Sequence, residues 1–186
     1  VVTDALAAST QRIMGPKYMT AGMGDAGACH PRDNIALRWL AQEYNLGYDL
    51  FQAIMGSREL QAKRLAETLV KHSKESGLPI FIHGKSYKPS VPYVDGSYSL
   101  LVGHFCKELG VHPIYVDPLT EEYNPSDILG VVLLAHNSKV TYNTLKDDLY
   151  CNILPGSIVV DPWRTYSTNI NDIKVIHYGN TRGQTL

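Results

Sequence analysis

Beyond a break at Ser76-Gly-Leu-Pro79, short runs of β-branched and aliphatic residues alternate with helical segments, and this alternation constrains the fold more than any other feature. The runs are "PIFIHG", "HPIYVD", "ILGVVLLAH", "GSIVVD" and "DIKVIHY". Helical spacing fills 97–109 and 139–149, and a crossing segment around Ser126 joins the second run to the third. Strands buried on both faces read as near-continuous apolar runs, and strands separated by helices pair in parallel. The expectation for 77–186 is therefore a mostly parallel sheet flanked by helices. Before the break the apolar spacing is helical, over 2–14, 31–44 and 50–74, the last as one long helix or a bent pair. The chain is thus expected to be α/β, with a helical region over 1–76, a sheet domain over 77–186 and a boundary between them. Its 186 residues suffice for a proper core.

Within the helical region, "GMGDAG" at 22–27 fits G-x-G-x-x-G, the spelling of a dinucleotide-binding turn. Such a turn follows a buried strand and opens a helix, so that backbone amides meet a pyrophosphate. Neither condition holds here. The preceding residues, Gly15 to Ala21, contain Gly and Pro and no aliphatic run, and Pro31 restricts the next helix to a start near itself. A second glycine signal, Gly84-Lys-Ser86, resembles the end of a phosphate loop, but the complete pattern needs glycine at position 79, which is Pro. What remains there is a lysine pair, Lys85 and Lys88, with Tyr87 beside it at a strand end. In open parallel sheets ligands bind beyond the carboxyl ends of the strands, so the loops 83–96, 117–124 and 161–171 are the ones to inspect.

Net charge of -1 supplies no broad basic field, which argues against nucleic acid as the main partner. No apolar run approaches a membrane span and no basic-then-apolar export signal opens the chain, so a cytoplasmic protein with no membrane partner is expected. The opening "VVTDALAAST" lacks an initiator Met and is expected to lie partway along a longer protein. Three widely spaced cysteines, Cys29, Cys106 and Cys151, offer no zinc-type pairing, and no metal is expected. Cys106 lies on an apolar helical face. Cys29 stands between the glycine-rich turn and a helix start, where the helix N-terminus and Arg32 both favour thiolate. Asp33, one helical turn on, can face the same site and steer water or a proton.

The stretch "GMGDAGACHPRDNIALRWLA" resembles the active-site segment of the UDP-glucose/GDP-mannose dehydrogenase family, G-x-G-x-G-G-x-C-[FL]-x-K-D before an apolar helix. "IFIHGKSYKPSVPYVDGSYSLL" is similar to that family's strand, G-x-x-[FY]-K and Asp-Arg-x-Ser segment. "PIYVDP" and, more weakly, "IVVDPWR" resemble its later strand ends. The resemblance implies the central helical region, which forms a homodimer, followed by a Rossmann-like domain that binds a UDP- or GDP-sugar; the family's amino-terminal NAD-binding domain is absent from this chain. It further implies oxidation of the sugar's C6 alcohol to the uronic acid with two NAD, through a thiohemiacetal and a thioester on Cys29. Asp33 would be the carboxylate near the water. Tyr18, Thr20, Gly22 and Gly24 would line the substrate, Tyr87 and Lys88 would hold the nucleotide, and Arg12 would reach a neighbouring subunit's substrate. Cys29 and Arg32 would lie on the cofactor side. Without the NAD domain the fragment is expected to be inactive.

Three departures mark a divergent branch. The motif's lysine is Arg32, the first of its paired glycines is Ala26, and its Asp and Arg after the Tyr-Lys pair are Tyr93 and Asp95. Two other classes compete: a non-catalytic nucleotide-sugar-binding or regulatory domain, which has no need of a nucleophile, and a response-regulator-like or carrier α/β domain, which leaves the cysteine loop without a purpose.

Overall fold

The computed structural model describes residues 8, 20–24, 27–137 and 151–179; the helices expected over 2–14 and 139–149 lie outside them. Among the described residues three helices and seven strands follow in chain order: α1 Cys29–Glu43, α2 Leu50–Ser76, β1 Ile80–His83, α3 Tyr98–Glu108, β2 Ile114–Val116, β3 Asp127–Ile128, β4 Val131–Leu134, β5 Asn152–Ile153, β6 Ile158–Val160 and β7 Lys174–Ile176. Helices come first and a parallel sheet second, as the sequence pattern implies.

Residues 50–76 form one helix rather than a bent pair, about 40 Å long at the usual rise. Its ends are chemically marked. Asp49 caps the start by accepting from the Gln52 N–H at 2.9 Å, and Gly77 closes the other end in the left-handed region at φ 74°. Ala62, Leu65, Ala66, Leu69, Val70 and Ser73 are its buried residues, a single stripe at helical spacing. The first half of α2 has no such stripe. Thus the second half of the helix is part of the sheet's core.

β2, β1, β4, β6 and β7 lie in that order, every pair parallel. Side chains alternate across the sheet. Ile80, Ile82, Val131, Leu133 and Val160 pack with α2 and with Val102 and Cys106 of α3. Phe81, Val132, Leu134 and Val159 pack on the other side with Ile128 and Ile153. Burial on both faces is the physical reason these strands read as continuous apolar runs. The crossing segment at Ser126 leads into β3, which pairs in parallel with β5 as a separate two-residue ladder. Gly130 lies between β3 and β4, where a side chain would fall 2.5 Å from the Phe81 ring. The strand order reverses at β1, whose neighbours are β2 on one side and β4 on the other.

Leu69 is fully buried, so Leu69→Ala should lower stability by about 2–5 kcal/mol in a urea titration, while Lys63→Ala on the exposed side of the same helix should stay within about 0.5 kcal/mol.

Candidate functional site at the carboxyl edge of the sheet

The chain leaves β2 and β6 through the same three residues, Val116-Asp-Pro118 and Val160-Asp-Pro162. Both aspartates are fully buried. Asp117 accepts the backbone N–H groups of Lys85, Ser86 and Leu119 at 2.9, 2.9 and 3.1 Å. Burial pushes its carboxyl up, and these three donors hold it below its ordinary value. Asp161 accepts from Trp163, Thr165 and Tyr166 at 2.8–2.9 Å. Each carboxylate therefore shapes a loop at the end of the sheet where a ligand is expected.

On those loops lies the glycine-rich segment. A methyl group at Gly22 would come within 2.6 Å of the Trp163 ring, and one at Gly24 would overlap the Tyr98 ring. Gly27, at φ 92°, faces Tyr87, whose ring a methyl group there would meet at 3.3 Å. A methyl at Gly96 would meet the Gly27 carbonyl oxygen at 2.6 Å. Gly22, Gly24 and Gly27 thus pack closely against three aromatic rings, and Gly96 against the Gly27 backbone. Trp163 is held across the sheet end, its Nε1 donating to the Leu134 carbonyl at 3.0 Å. Arg58 of α2 braces the same place, with its guanidinium 5.6 Å from the Tyr98 ring centre and Nη2 donating to the Gly96 carbonyl at 3.5 Å.

α1 begins at Cys29, two residues before the start expected at Pro31, and the proline is tolerated because it still lies in the first turn. Cys29 is exposed at that helix start. Arg32 Nε donates to Asp33 Oδ1 at 2.7 Å, both side chains being exposed. That hydrogen bond raises Arg32 and lowers Asp33 relative to their ordinary values, and Cys29 also contributes to holding Arg32 charged. Tyr93 joins the group. The charge of Asp95 pushes its phenol above the ordinary value, with Cys29 adding to the effect, and its ring meets Tyr87 edge-on at 6.1 Å. The two departures at 93 and 95 therefore stand beside the cysteine.

The lysine pair separates. Lys85 pairs with Glu121 and lies over the Tyr115 ring at 5.6 Å, whereas Lys88 is exposed with its amine 5.2 Å over the Tyr87 ring. Tyr87 and Lys88 thus adjoin the loop that leads to Cys29. Thr20, Gly22 and Gly24 lie along that loop, and Arg12 and Tyr18 lie outside the described residues. Sequence reasoning missed Trp163, Tyr98, Gly96 and His136. The repeated Val-Asp-Pro at strand ends was the available signal for the two buried carboxylates. Among the described residues no cluster suits a metal ion, and no described helix is long and apolar enough to cross a membrane.

Residues 2–59 match the family model described as UDP-glucose/GDP-mannose dehydrogenase family, central domain. The chain is 27% identical over 142 residues to UDP-glucose 6-dehydrogenase TuaD of Bacillus subtilis, covering 76% of this chain and 30% of the relative. It is 24% identical over 109 residues to UDP-glucose 6-dehydrogenase AglM of Haloferax volcanii, covering 59% of this chain and 25% of the relative. This chain therefore spans less than a third of either curated relative. In fold it is similar to the UDP-glucose dehydrogenase of Pyrobaculum islandicum, with TM-score 0.59, 20% identity, and 94% of this chain and 41% of that one covered. It is likewise similar to the GDP-mannose dehydrogenase of Pseudomonas aeruginosa, with TM-score 0.60, 14% identity, and 94% and 44% covered. The resemblance to this family read from the sequence is borne out.

Under the site, His83 and His136 are buried at the ends of β1 and β4. Burial pushes the His83 imidazole down to about 3, with His136 contributing, and burial lowers His136 as well. An unfolded imidazole takes up its proton near pH 6.5, so the folded state loses stability as pH falls from about 6.5 towards 3. The expected slope over the middle of that window is about 1.4 kcal/mol per pH unit for one such histidine. Urea titrations at pH 7, 5.5 and 4.5 check it, and His83→Asn should give a shallower pH dependence.

Proposed function

We propose that this chain, whose residues 2–59 match the model of the UDP-glucose/GDP-mannose dehydrogenase family central domain, forms the sugar-nucleotide-binding and acyl-transfer part of a nucleotide-sugar 6-dehydrogenase. In this proposal 1–76 is the central helical part and 77–186 the part that binds a UDP- or GDP-sugar. The observation that supports it is the packing of Tyr87 against Gly27: the aromatic-lysine pair and the cysteine loop, far apart in sequence, share one edge of the sheet.

The reaction removes two hydrides from a C6 alcohol and adds the oxygen of water, giving a carboxylate. NAD would accept the hydrides. Among the described residues the glycine segment is packed against Trp163, Tyr98 and Tyr87 and provides no cradle for the pyrophosphate of NAD. Exposed Cys29 and Arg32 can at most flank it. The proposed work of this chain's own residues is different. Cys29 Sγ bonds to the C6 aldehyde carbon, keeping the aldehyde from escaping, and its departure as thiolate completes hydrolysis of the later C6 thioester. Asp33 accepts a proton from the attacking water, with Arg32 holding the carboxylate in its charged form. Thr20, Gly22, Gly24 and Tyr18 line the sugar, and Tyr87 and Lys88 take the base and phosphates. A cytoplasmic location and no nucleic-acid or membrane partner accompany this function. A second reading, a non-catalytic sugar-nucleotide binder, is favoured by the absence of a cation at positions 93 and 95.

Cys29→Ser in the intact enzyme separates the two. Acid formation is expected to fall at least about 1000-fold with sugar-nucleotide affinity changed less than about threefold. Undiminished turnover would remove Cys29 from the mechanism.

The proposal includes a homodimer. Ile35, Trp39, Tyr44, Leu46, Tyr48 and Leu50 are exposed on α1, on the turn after it and at the start of α2, more apolar surface than a single core-facing stripe leaves. A two-fold contact would cover it and let Arg12 reach the partner's substrate. Light scattering across a concentration series should give twice the chain mass, and Trp39→Glu should shift it to the monomer by raising the dissociation constant at least about tenfold.

A further inference from the structure

We infer that His136 is a positioning residue for the Tyr87-Lys88 pair, clamping the turn 84–86 from the β4 side while Asp117 clamps it from the β2 side. The inference rests on the proposed binding of a sugar nucleotide at that pair. Strand order reverses at β1, so the chain leaving His83 runs out between two neighbours whose own ends lie on either side of it. In open sheets this is where a crevice forms. Here the crevice is filled. The His136 ring packs on Gly84, where a methyl group would lie 2.5 Å from the imidazole Cγ and where φ is 102°. Gly84 N–H donates to the Val116 carbonyl at 2.9 Å, so the turn is joined to β2 as well.

The polar atoms then form a directed chain. His136 Nε2 is 2.9 Å from the Ser86 carbonyl oxygen. A carbonyl only accepts, so this nitrogen carries the hydrogen. Ser86 Oγ, 3.3 Å from the same nitrogen, donates to the Lys88 carbonyl at 2.9 Å. From the opposite side Asp117 Oδ2 accepts the N–H groups of Lys85 and Ser86. Tyr87 N–H donates to the Tyr93 carbonyl at 3.1 Å. The N–H groups of Lys85, Ser86 and Tyr87 and the carbonyls of Ser86 and Lys88 are therefore tied down. His136, Ser86 and Asp117 are almost wholly buried and out of reach of any ligand. They act through the pair, which is exposed enough to meet one and lies against Gly27.

His136→Phe keeps a ring on Gly84 and removes the donor, His136→Gln keeps a donor, and Lys88→Met removes the proposed phosphate contact. For each, hydrogen exchange of the backbone amides at 85–88 is followed in the free protein, and UDP-glucose and GDP-mannose are titrated by calorimetry. His136→Phe should speed exchange at these amides and weaken the better of the two probes about tenfold, with exchange in α2 unchanged. His136→Gln should return affinity to within about threefold of the unaltered protein. If His136→Phe fails to fold, Ser86→Ala carries the test with the same expected direction in both measurements. Unchanged exchange and affinity in His136→Phe, or in Ser86→Ala where that variant stands in, together with loss of binding in Lys88→Met, overturn the inference and leave the binding site standing. An unaltered protein that binds neither probe overturns both.

Discussion

A parallel sheet sends each strand into a loop whose backbone N–H groups no neighbouring strand accepts, and in this chain two buried carboxylates take them up. Asp117 gathers the turn after β1 as well as its own, and Asp161 gathers the segment that carries Trp163. A buried carboxylate without donors would be costly, and the three N–H groups on Asp117 hold its carboxyl below its ordinary value. The dependence runs in both directions. Without the carboxylate three N–H groups are orphaned, and without the loops the charge is stranded. The elements of the candidate site hang from these two residues: Tyr87 and Lys88 follow directly from the turn that Asp117 holds, and Gly22 lies on the tryptophan that Asp161 positions.

The helical part meets the sheet through shape more than through charge. Three glycines let the backbone ahead of Cys29 lie against Trp163, Tyr98 and Tyr87, and Arg58 adds a contact from α2 to Tyr98 and Gly96. Aromatic rings present broad apolar faces, so a backbone without side chains gains contact along its length. Cys29, Arg32 and Asp33 are thereby brought to the outer side of that contact, exposed and close to Tyr93 and Asp95. Their mutual electrostatics are those of a solvated cluster, screened by water, so whatever covers this surface sets how strongly they act on one another.

Much of the fold was legible because burial leaves a pattern in the chain. The runs at 80–82, 131–134 and 158–160 are apolar at every position since both faces of the sheet are covered, and α2 shows its stripe at 62, 65, 66, 69, 70 and 73 because only one side meets the core. The start of α2 at Leu50 was legible, Asp49 having a local reason to stand before it, whereas the helix runs two residues past the expected 74 before Gly77 ends it. The start of α1 was set two residues late, since Pro31 limits a helix start without specifying it. The two-residue strands β3 and β5 were missed for a different reason. A pair so short is decided by the partner it meets and has no period of its own.

By itself the sequence determined the order of elements, the candidacy of Cys29 at a helix start, and the family likeness carried by the cysteine segment. Which residues face that cysteine was decided only by tertiary structure. Nothing local in "HGKSYK" separates Lys85, drawn to Glu121 and Tyr115, from Lys88, which stays on Tyr87. Nor does "LLAHNS" reveal that His136 fills the gap beside Gly84. The spelling at 22–27 pointed to a phosphate cradle, yet its glycines answer to rings contributed from residues 87, 98 and 163. A glycine states only that the backbone must come close to something. What it comes close to is set by the strand order, which brings distant loops to one edge of the sheet.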